Sequence, residues 1–77
     1  MHTIPVMITT IQALICALED QPTLLHIDYS LLYSSQEHTQ TLLSEHPYRL
    51  YGQGKHGLFY LRRDVEKVSI YDPMGIY

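Results

Sequence analysis

The stretch YRLYGQGKHGLFYLRRDVEKVSIYDP, residues 48–73, decides the fold predicted from this sequence. Apolar and polar residues alternate over 58–62 and again over 67–71, and the polar residues 63–66 separate the two runs. Alternation with a period of two is typical of half-buried β-strands, and a short polar break between two such runs is typical of a hairpin. We therefore predict that the chain ends in a β-hairpin.

The predicted hairpin has an apolar face and an aromatic, basic face. Phe59 and Leu61 would meet Val68 and Ile70 on the apolar face. The other face would carry Tyr60, Arg62, Ser69 and Tyr71. A shorter strand, Tyr48 to Tyr51, and the glycine-rich loop 52–57 precede the hairpin, and Asp72-Pro73-Met74-Gly75 predicts a closing turn.

The first third of the chain predicts an amphipathic helix. Large apolar residues between positions 4 and 18 recur at alternating intervals of three and four, which places them on one stripe. Thr3 can cap this helix, or Thr9 can cap a shorter one after a brief strand. Residues 4–8 are therefore open to either interpretation. The opposite side carries the small residues Ala13, Cys16 and Ala17, which a neighbouring surface could cover.

The middle of the chain adds one strand and one helix. Residues 23–29 alternate moderately and predict a strand, and Ser34 with Glu37 forms a capping-box pattern for a helix over about 35–45. The predicted fold is a single α+β domain, residues 1–77. Two helices pack on one face of a small, mostly antiparallel sheet of three to four strands that ends in the hairpin.

The length and the cysteine content limit the classes of protein. At 77 residues the chain hides only about 60–65% of its surface on folding, so a partner chain would add stability. Cys16 is the only cysteine, which excludes an intramolecular disulfide and favours the reducing cytoplasm. The apolar stretch 4–18 is too short to cross a bilayer, so we expect no membrane partner.

Charge is unevenly distributed along the chain. Residues 1–46 carry five acidic and no basic residues, a net charge of −5, whereas residues 47–77 carry five basic and three acidic residues, a net charge of +2. Opposite charge in two halves favours head-to-tail association or an anionic partner at the basic half.

Neither a metal site nor a cofactor site is predicted. The five histidines are scattered, with no pair at the helical spacing of four. Residues 52–57 spell G-x-G-x-x-G, but a dinucleotide site needs such a loop to open a helix, and here it precedes the predicted strand 58–62.

The chain order Cys16, His56, Asp72 matches that of a Cys-His-Asp triad. Residues 56–75, about twenty in all, resemble the His/Asp hairpin of papain-like cysteine peptidases of the secreted-effector type. The resemblance implies that Cys16 is a nucleophile and that Asp72 orients the His56 ring. Cys16 departs from that pattern because it falls near the end of its predicted helix, where the helix dipole opposes a thiolate.

We therefore predict a small non-enzymatic protein that interacts with or regulates another protein, as a homodimer or as a subunit. Tyrosine and arginine are enriched at protein interfaces, and both are frequent in the hairpin region. The alternative function is binding of single-stranded nucleic acid, with aromatic rings for stacking and cations for phosphates. A peptidase is the third and least favoured function. The predicted binding residues are Tyr48, Arg49, Tyr51, Tyr60, Arg62, Arg63 and Tyr71.

Overall fold

The computed structural model describes residues 2–73, 75 and 77 of the chain. These residues form three helices and six strands. In chain order they are β1 (His2–Thr3), β2 (Val6–Ile8), α1 (Ile11–Asp20), β3 (Leu24–Asp28), α2 (Tyr29–Ser34), α3 (Gln36–Ser44), β4 (Tyr48–Gln53), β5 (Gly57–Arg62) and β6 (Ser69–Ile70).

Four of the strands form one mixed sheet in the order β2-β3-β5-β4. β2 runs parallel to β3, and β5 runs antiparallel to both β3 and β4. β1 and β6 form a second, two-stranded parallel sheet. The predicted α+β class and the mostly antiparallel main sheet are confirmed.

The main sheet is covered on both faces. On one face, buried residues of the helices and strands form a continuous core that includes Leu14, Leu18, Ile27, Leu43 and Tyr60. On the other face, a smaller buried cluster packs under half-buried side chains of the segment that follows β5. That cluster consists of Leu24, Phe59 and Leu61, with Val65, Val68 and Ile70 packed against it.

The N-terminal stripe divides into a strand and a helix, the second of the two open interpretations. Thr10 rather than Thr9 caps α1, because the Ala13 N–H donates a 3.1 Å hydrogen bond to Thr10 Oγ1. The helix ends at Asp20, and Gln21 follows it with φ of 49° in the left-handed region. Of the small-residue side, Ala13 and Ala17 pack against the core, whereas Cys16 is exposed.

The middle of the chain contains one helix more than predicted. The strand at 23–29 is confirmed as β3, and the helix at about 35–45 is confirmed as α3. Between them lies α2, which begins where Asp28 Oδ1 accepts a 2.8 Å hydrogen bond from the Ser30 N–H. Hydrogen bonding from Ser30, through its side chain first and its N–H second, lowers the pKa of Asp28. No helix in the described part of the chain has the length and apolar character that crossing a bilayer requires.

The predicted pairing of residues 67–71 with 58–62 is wrong. β5 already has β3 on one side and β4 on the other, so it offers no free edge to a further strand. Ser69 and Ile70 instead pair with His2 and Thr3, and the hairpin of the main sheet is β4–β5. The predicted contacts of Phe59 and Leu61 with residues 68 and 70 form all the same, because the last segment crosses over that face. The predicted turn at 72–75 includes Met74, which lies outside the described residues.

Candidate functional site

Two of the seven predicted binding residues lie in the core. Tyr48 and Tyr60 are buried on the helix-covered face of the sheet, where they belong to the main apolar cluster. The Tyr48 hydroxyl donates a short hydrogen bond to the Pro22 carbonyl, and burial raises the pKa of its phenol. These two rings therefore build the fold and leave only a small part of their surface exposed.

Two arginines are held by the chain's own acceptors. Arg62 Nε lies 2.7 Å from Asp64 Oδ1, which raises the pKa of Arg62, and its Nη1 donates to Gln21 O at 2.6 Å. Arg49 Nη2 donates to Glu66 O at 2.6 Å. Both side chains therefore fasten connecting segments to the end of the β4–β5 hairpin.

The remaining predicted tyrosines lie near the C-terminal segment. The Tyr51 hydroxyl donates to Val68 O at 2.8 Å and accepts from Val68 N at 3.1 Å. The Tyr71 N–H donates to Thr3 O at 2.8 Å, and its side chain is 51% exposed. Tyr51 is therefore a structural tie, whereas the Tyr71 ring is accessible.

A concave surface lies between α3 and β4, and we call it the α3–β4 groove. It consists of two adjoining hollows of about 210 and 530 Å³ that share Gln40 and Leu58. One wall is a single face of α3, made of Gln36, Gln40, Leu43 and Ser44, and the opposite side is β4. The full lining is Tyr29, Leu32, Tyr33, Gln36, Gln40, Leu43, Ser44, Tyr48, Arg49, Leu50, Leu58, Tyr60 and Arg63.

Two large side chains of the groove are exposed. Leu50 is 59% exposed on the face of the sheet that helices cover elsewhere, and Tyr33 at the other end is 89% exposed. Sequence reasoning placed neither of them in the site. Leu50 could have been noticed in the sequence as an apolar residue between Arg49 and Tyr51 in a predicted strand. Its place in the groove could not be predicted, because the sequence did not assign α3 to the same face of the sheet.

β4 is an edge strand of the main sheet, so its outer backbone groups face away from β5. The Arg63 N–H donates to Pro47 O at 2.7 Å, which fixes the alternation of the antiparallel ladder. By this alternation Arg49 exchanges hydrogen bonds with Leu61, and Leu50 directs its N–H and C=O to the open edge. No strand in the described residues pairs with that edge.

Arg63 carries the positive charge most available to a ligand of the groove. Its Nε donates to Tyr48 O at 3.2 Å, and within the described residues no carboxylate forms an ion pair with it. Its side chain is exposed, whereas the guanidinium of Arg49 is occupied by backbone carbonyls. The groove therefore has an apolar floor and a cationic end.

The residues of the proposed triad are only partly brought together. His56 and Asp72 both act on the pKa of the buried His26, so they share one neighbourhood at the hairpin end of β3. Cys16 is exposed in the second half of α1, which returns toward the start of β3 at the opposite end of the sheet.

His26 lies in the centre of the sheet beneath Gly57. Its ring is 0% exposed and meets the Phe59 ring edge-on at 5.0 Å. Among the described residues neither ring nitrogen has a hydrogen-bond partner, and burial lowers the pKa of the imidazole. No group of three or more histidine, cysteine or acidic side chains in residues 2–73, 75 and 77 is arranged to hold a metal ion.

No protein-family model, curated protein or solved structure matches this chain. The function must therefore be inferred from the geometry and chemistry of its own residues.

Proposed function

We propose that the chain is a small protein-binding module that acts without catalysis, through the α3–β4 groove. The observation that carries the proposal is an open apolar groove along an edge strand, with Leu50 59% exposed in it. The sequence indicated a C-terminal hairpin of residues 58–62 and 67–71 as the binding element, and the proposal moves the contact to the β4–β5 hairpin and α3. Its tyrosines and arginines shape the groove or hold the hairpin, and the contact is made by the groove's own lining.

The driving force for binding is the removal of apolar surface from water. Burying an exposed leucine side chain completely is worth about 1.5–3 kcal/mol, so the exposed part of Leu50 contributes roughly half of that. Tyr33, Leu32 and Leu58 add further apolar surface along the same groove. The amide of Gln40 supplies a donor and an acceptor at the junction of the two hollows, which can orient a peptide backbone.

The alternative function, binding of single-stranded nucleic acid, needs a row of exposed aromatic rings on which bases can stack. Tyr48 and Tyr60 lie in the core, and Tyr51 is half-buried with its hydroxyl bonded to residue 68. Few of the predicted stacking rings are therefore accessible, and protein binding is the better supported function.

The test is a selection of short random peptides displayed against the full chain, followed by affinity measurements on purified variants. We expect selected peptides to lose about tenfold or more in affinity for Leu50→Asp, because a charge there opposes burial of the groove. The matched control is Ile4→Asp. Ile4 is 60% exposed, almost the same as Leu50, but lies outside the groove.

Chemical-shift mapping supplies the second measurement. A peptide that occupies the groove shifts the backbone amides of Gln40, Ser44 and Leu50 and leaves those of Met7 and Ile15 unchanged. The proposal is wrong if the selection yields no peptide, or if the selected peptides bind Leu50→Asp and Ile4→Asp equally well.

A further inference from the structure

We infer that the α3–β4 groove takes an extended segment of a partner protein in which an acidic residue lies close to an apolar one. The apolar side chain enters the groove beside Leu50, and the carboxylate meets Arg63 at the end of it. The inference rests on the proposed function and specifies the chemistry of the partner.

The charge of the lining supports an acidic partner. Among the described residues, the lining of the groove contains Arg49 and Arg63 and no acidic residue, although the chain as a whole has a net charge of −3. In the same part of the chain the Arg63 guanidinium donates through Nε, so its two terminal nitrogens can form the bidentate contact that guanidinium makes with a carboxylate.

The backbone of β4 supports an extended conformation. Leu50 presents its N–H and C=O at the open edge, which is the pair of groups that an added strand binds. On one side of this position Arg63 already occupies Tyr48 O, and on the other the ladder with β5 is irregular between Leu50 and Gly52. Pairing is therefore restricted to a short segment centred on Leu50.

The length of the groove agrees with a short segment. Its α3 wall runs from Gln36 to Ser44, which corresponds to roughly 12 Å at the rise of an α-helix. An extended chain covers that distance in about four residues. The carboxylate at Arg63 and the apolar side chain at Leu50 then lie within one such segment.

The experiment uses the same unbiased peptide selection with three variants of the full chain. Against the wild type we expect enrichment of an aspartate or glutamate near an apolar residue. Arg63→Gln, which keeps the length of the side chain but removes its charge, should weaken those peptides by about two- to fivefold, the effect of a partly exposed ion pair. Lys67→Gln removes the same charge outside the groove and should change nothing.

Arg63→Glu reverses the charge at this end of the groove. A selection against this variant should enrich lysine or arginine at the position where the wild type selects an acid, while Leu50→Asp still abolishes binding. Added salt should weaken binding to the wild type, since the pair lies at the surface.

Failure of the inference differs from failure of the proposed function. Peptides that lose affinity for Leu50→Asp, but carry no acidic residue and ignore Arg63→Gln, would overturn the inference and retain the function. A wild-type chain that is dimeric by light scattering, and that Leu50→Asp but not Ile4→Asp makes monomeric, would overturn it in favour of a second copy as the occupant.

Discussion

The two faces of the main sheet are covered in different ways. Three helices cover one face, and on the other the segment after β5 contributes only the two-residue strand β6 among its described residues. A helix satisfies most of its own backbone hydrogen bonds, so apolar contact is enough to hold it on a sheet. An irregular segment needs partners for its backbone groups from elsewhere.

This difference explains the composition of the hairpin. Arg49 donates to Glu66 O, and Tyr51 bonds to both the N–H and the C=O of Val68, so side chains of β4 supply the hydrogen bonds that the irregular segment lacks. A region rich in tyrosine and arginine is therefore explained in large part by the covering of the sheet. The helices that cover the other face need no such ties, although the segment after α1 is held there by the Tyr48 hydroxyl through the Pro22 carbonyl. The groove lies open on that face.

The largest effect on this comparison is expected from Gly57→Ala, at the first residue of the inner strand β5. A Cβ atom at position 57 would lie 2.1 Å from the Ile27 carbonyl oxygen and 2.8 Å from the His26 ring. Backbone atoms of the paired strand cannot move away, so we expect the free energy of unfolding to fall by more than the ~1–3 kcal/mol typical of overpacking. We expect a chain that is unfolded or nearly so by circular dichroism.

Gly52→Ala is the control for that substitution. Its added Cβ would lie 4.0 Å from the Tyr77 hydroxyl, which is an ordinary van der Waals contact. The midpoint of urea unfolding for Gly52→Ala should therefore differ little from that of the wild type. Equal midpoints for the two variants would contradict the close approach of β3 and β5 at Gly57.

The second prediction asks whether the face under the irregular segment is a true core. Phe59 is 0% exposed and stacks on Tyr77 with 5.4 Å between ring centroids. Phe59→Ala should lower the free energy of unfolding by about 3–5 kcal/mol, the usual cost of removing a buried phenylalanine. That is a large part of the stability of a small domain.

Leu50→Ala, in the open groove of the other face, is the comparison variant and should change the free energy of unfolding by about 0.5 kcal/mol or less. Urea denaturation of Phe59→Ala and Leu50→Ala measures the two free energies of unfolding, which can be compared directly if the dependence on urea concentration has the same slope for both variants. A Phe59→Ala protein as stable as Leu50→Ala would mean that the segment after β5 covers the sheet only loosely.

The local patterns of the sequence were sufficient for much of the fold. The alternation at 23–29 and 58–62 and the helix at about 35–45 reflect short-range chemistry, and each is found in the structure as β3, β5 and α3. The partner of residues 69–70 was not predictable in the same way. It depends on β5 having both edges occupied, which is a property of the sheet and not of the strand.

The candidate site shows the same limit. The sequence indicated the hairpin region and named Arg49 and Arg63 as binding residues, and both line the groove. It also named Tyr48 and Tyr60, which are buried. Whether a tyrosine in a strand faces water depends on which face the helices cover. Leu50 was missed for the same reason, since its exposure results from the position of α3 relative to the edge strand.

The smallest and most specific effect concerns His26, the polar residue on the face under the irregular segment. Burial lowers the pKa of its imidazole, against the opposing effects of Asp28 and Asp72, and His56 lowers it further. The unfolded chain, with the ordinary pKa of 6.5, therefore binds the proton more readily than the folded chain. The contribution of His26 titration to the free energy of unfolding is fully present above pH 6.5. It is lost progressively as the pH falls below 6.5 toward the lowered pKa of the folded chain.

His26→Leu should remove this pH dependence and raise the free energy of unfolding by about 1–3 kcal/mol, the cost of a buried polar group left without a hydrogen bond. Urea unfolding of both proteins from about pH 8 to about pH 5 checks it, because the two curves should diverge as the solution becomes acidic. His38→Gln, at an exposed position of α3, is the control and should follow the wild type. A His26→Leu protein that is destabilised at every pH would show instead that the imidazole stabilises this face, and that its polar atoms carry no such cost.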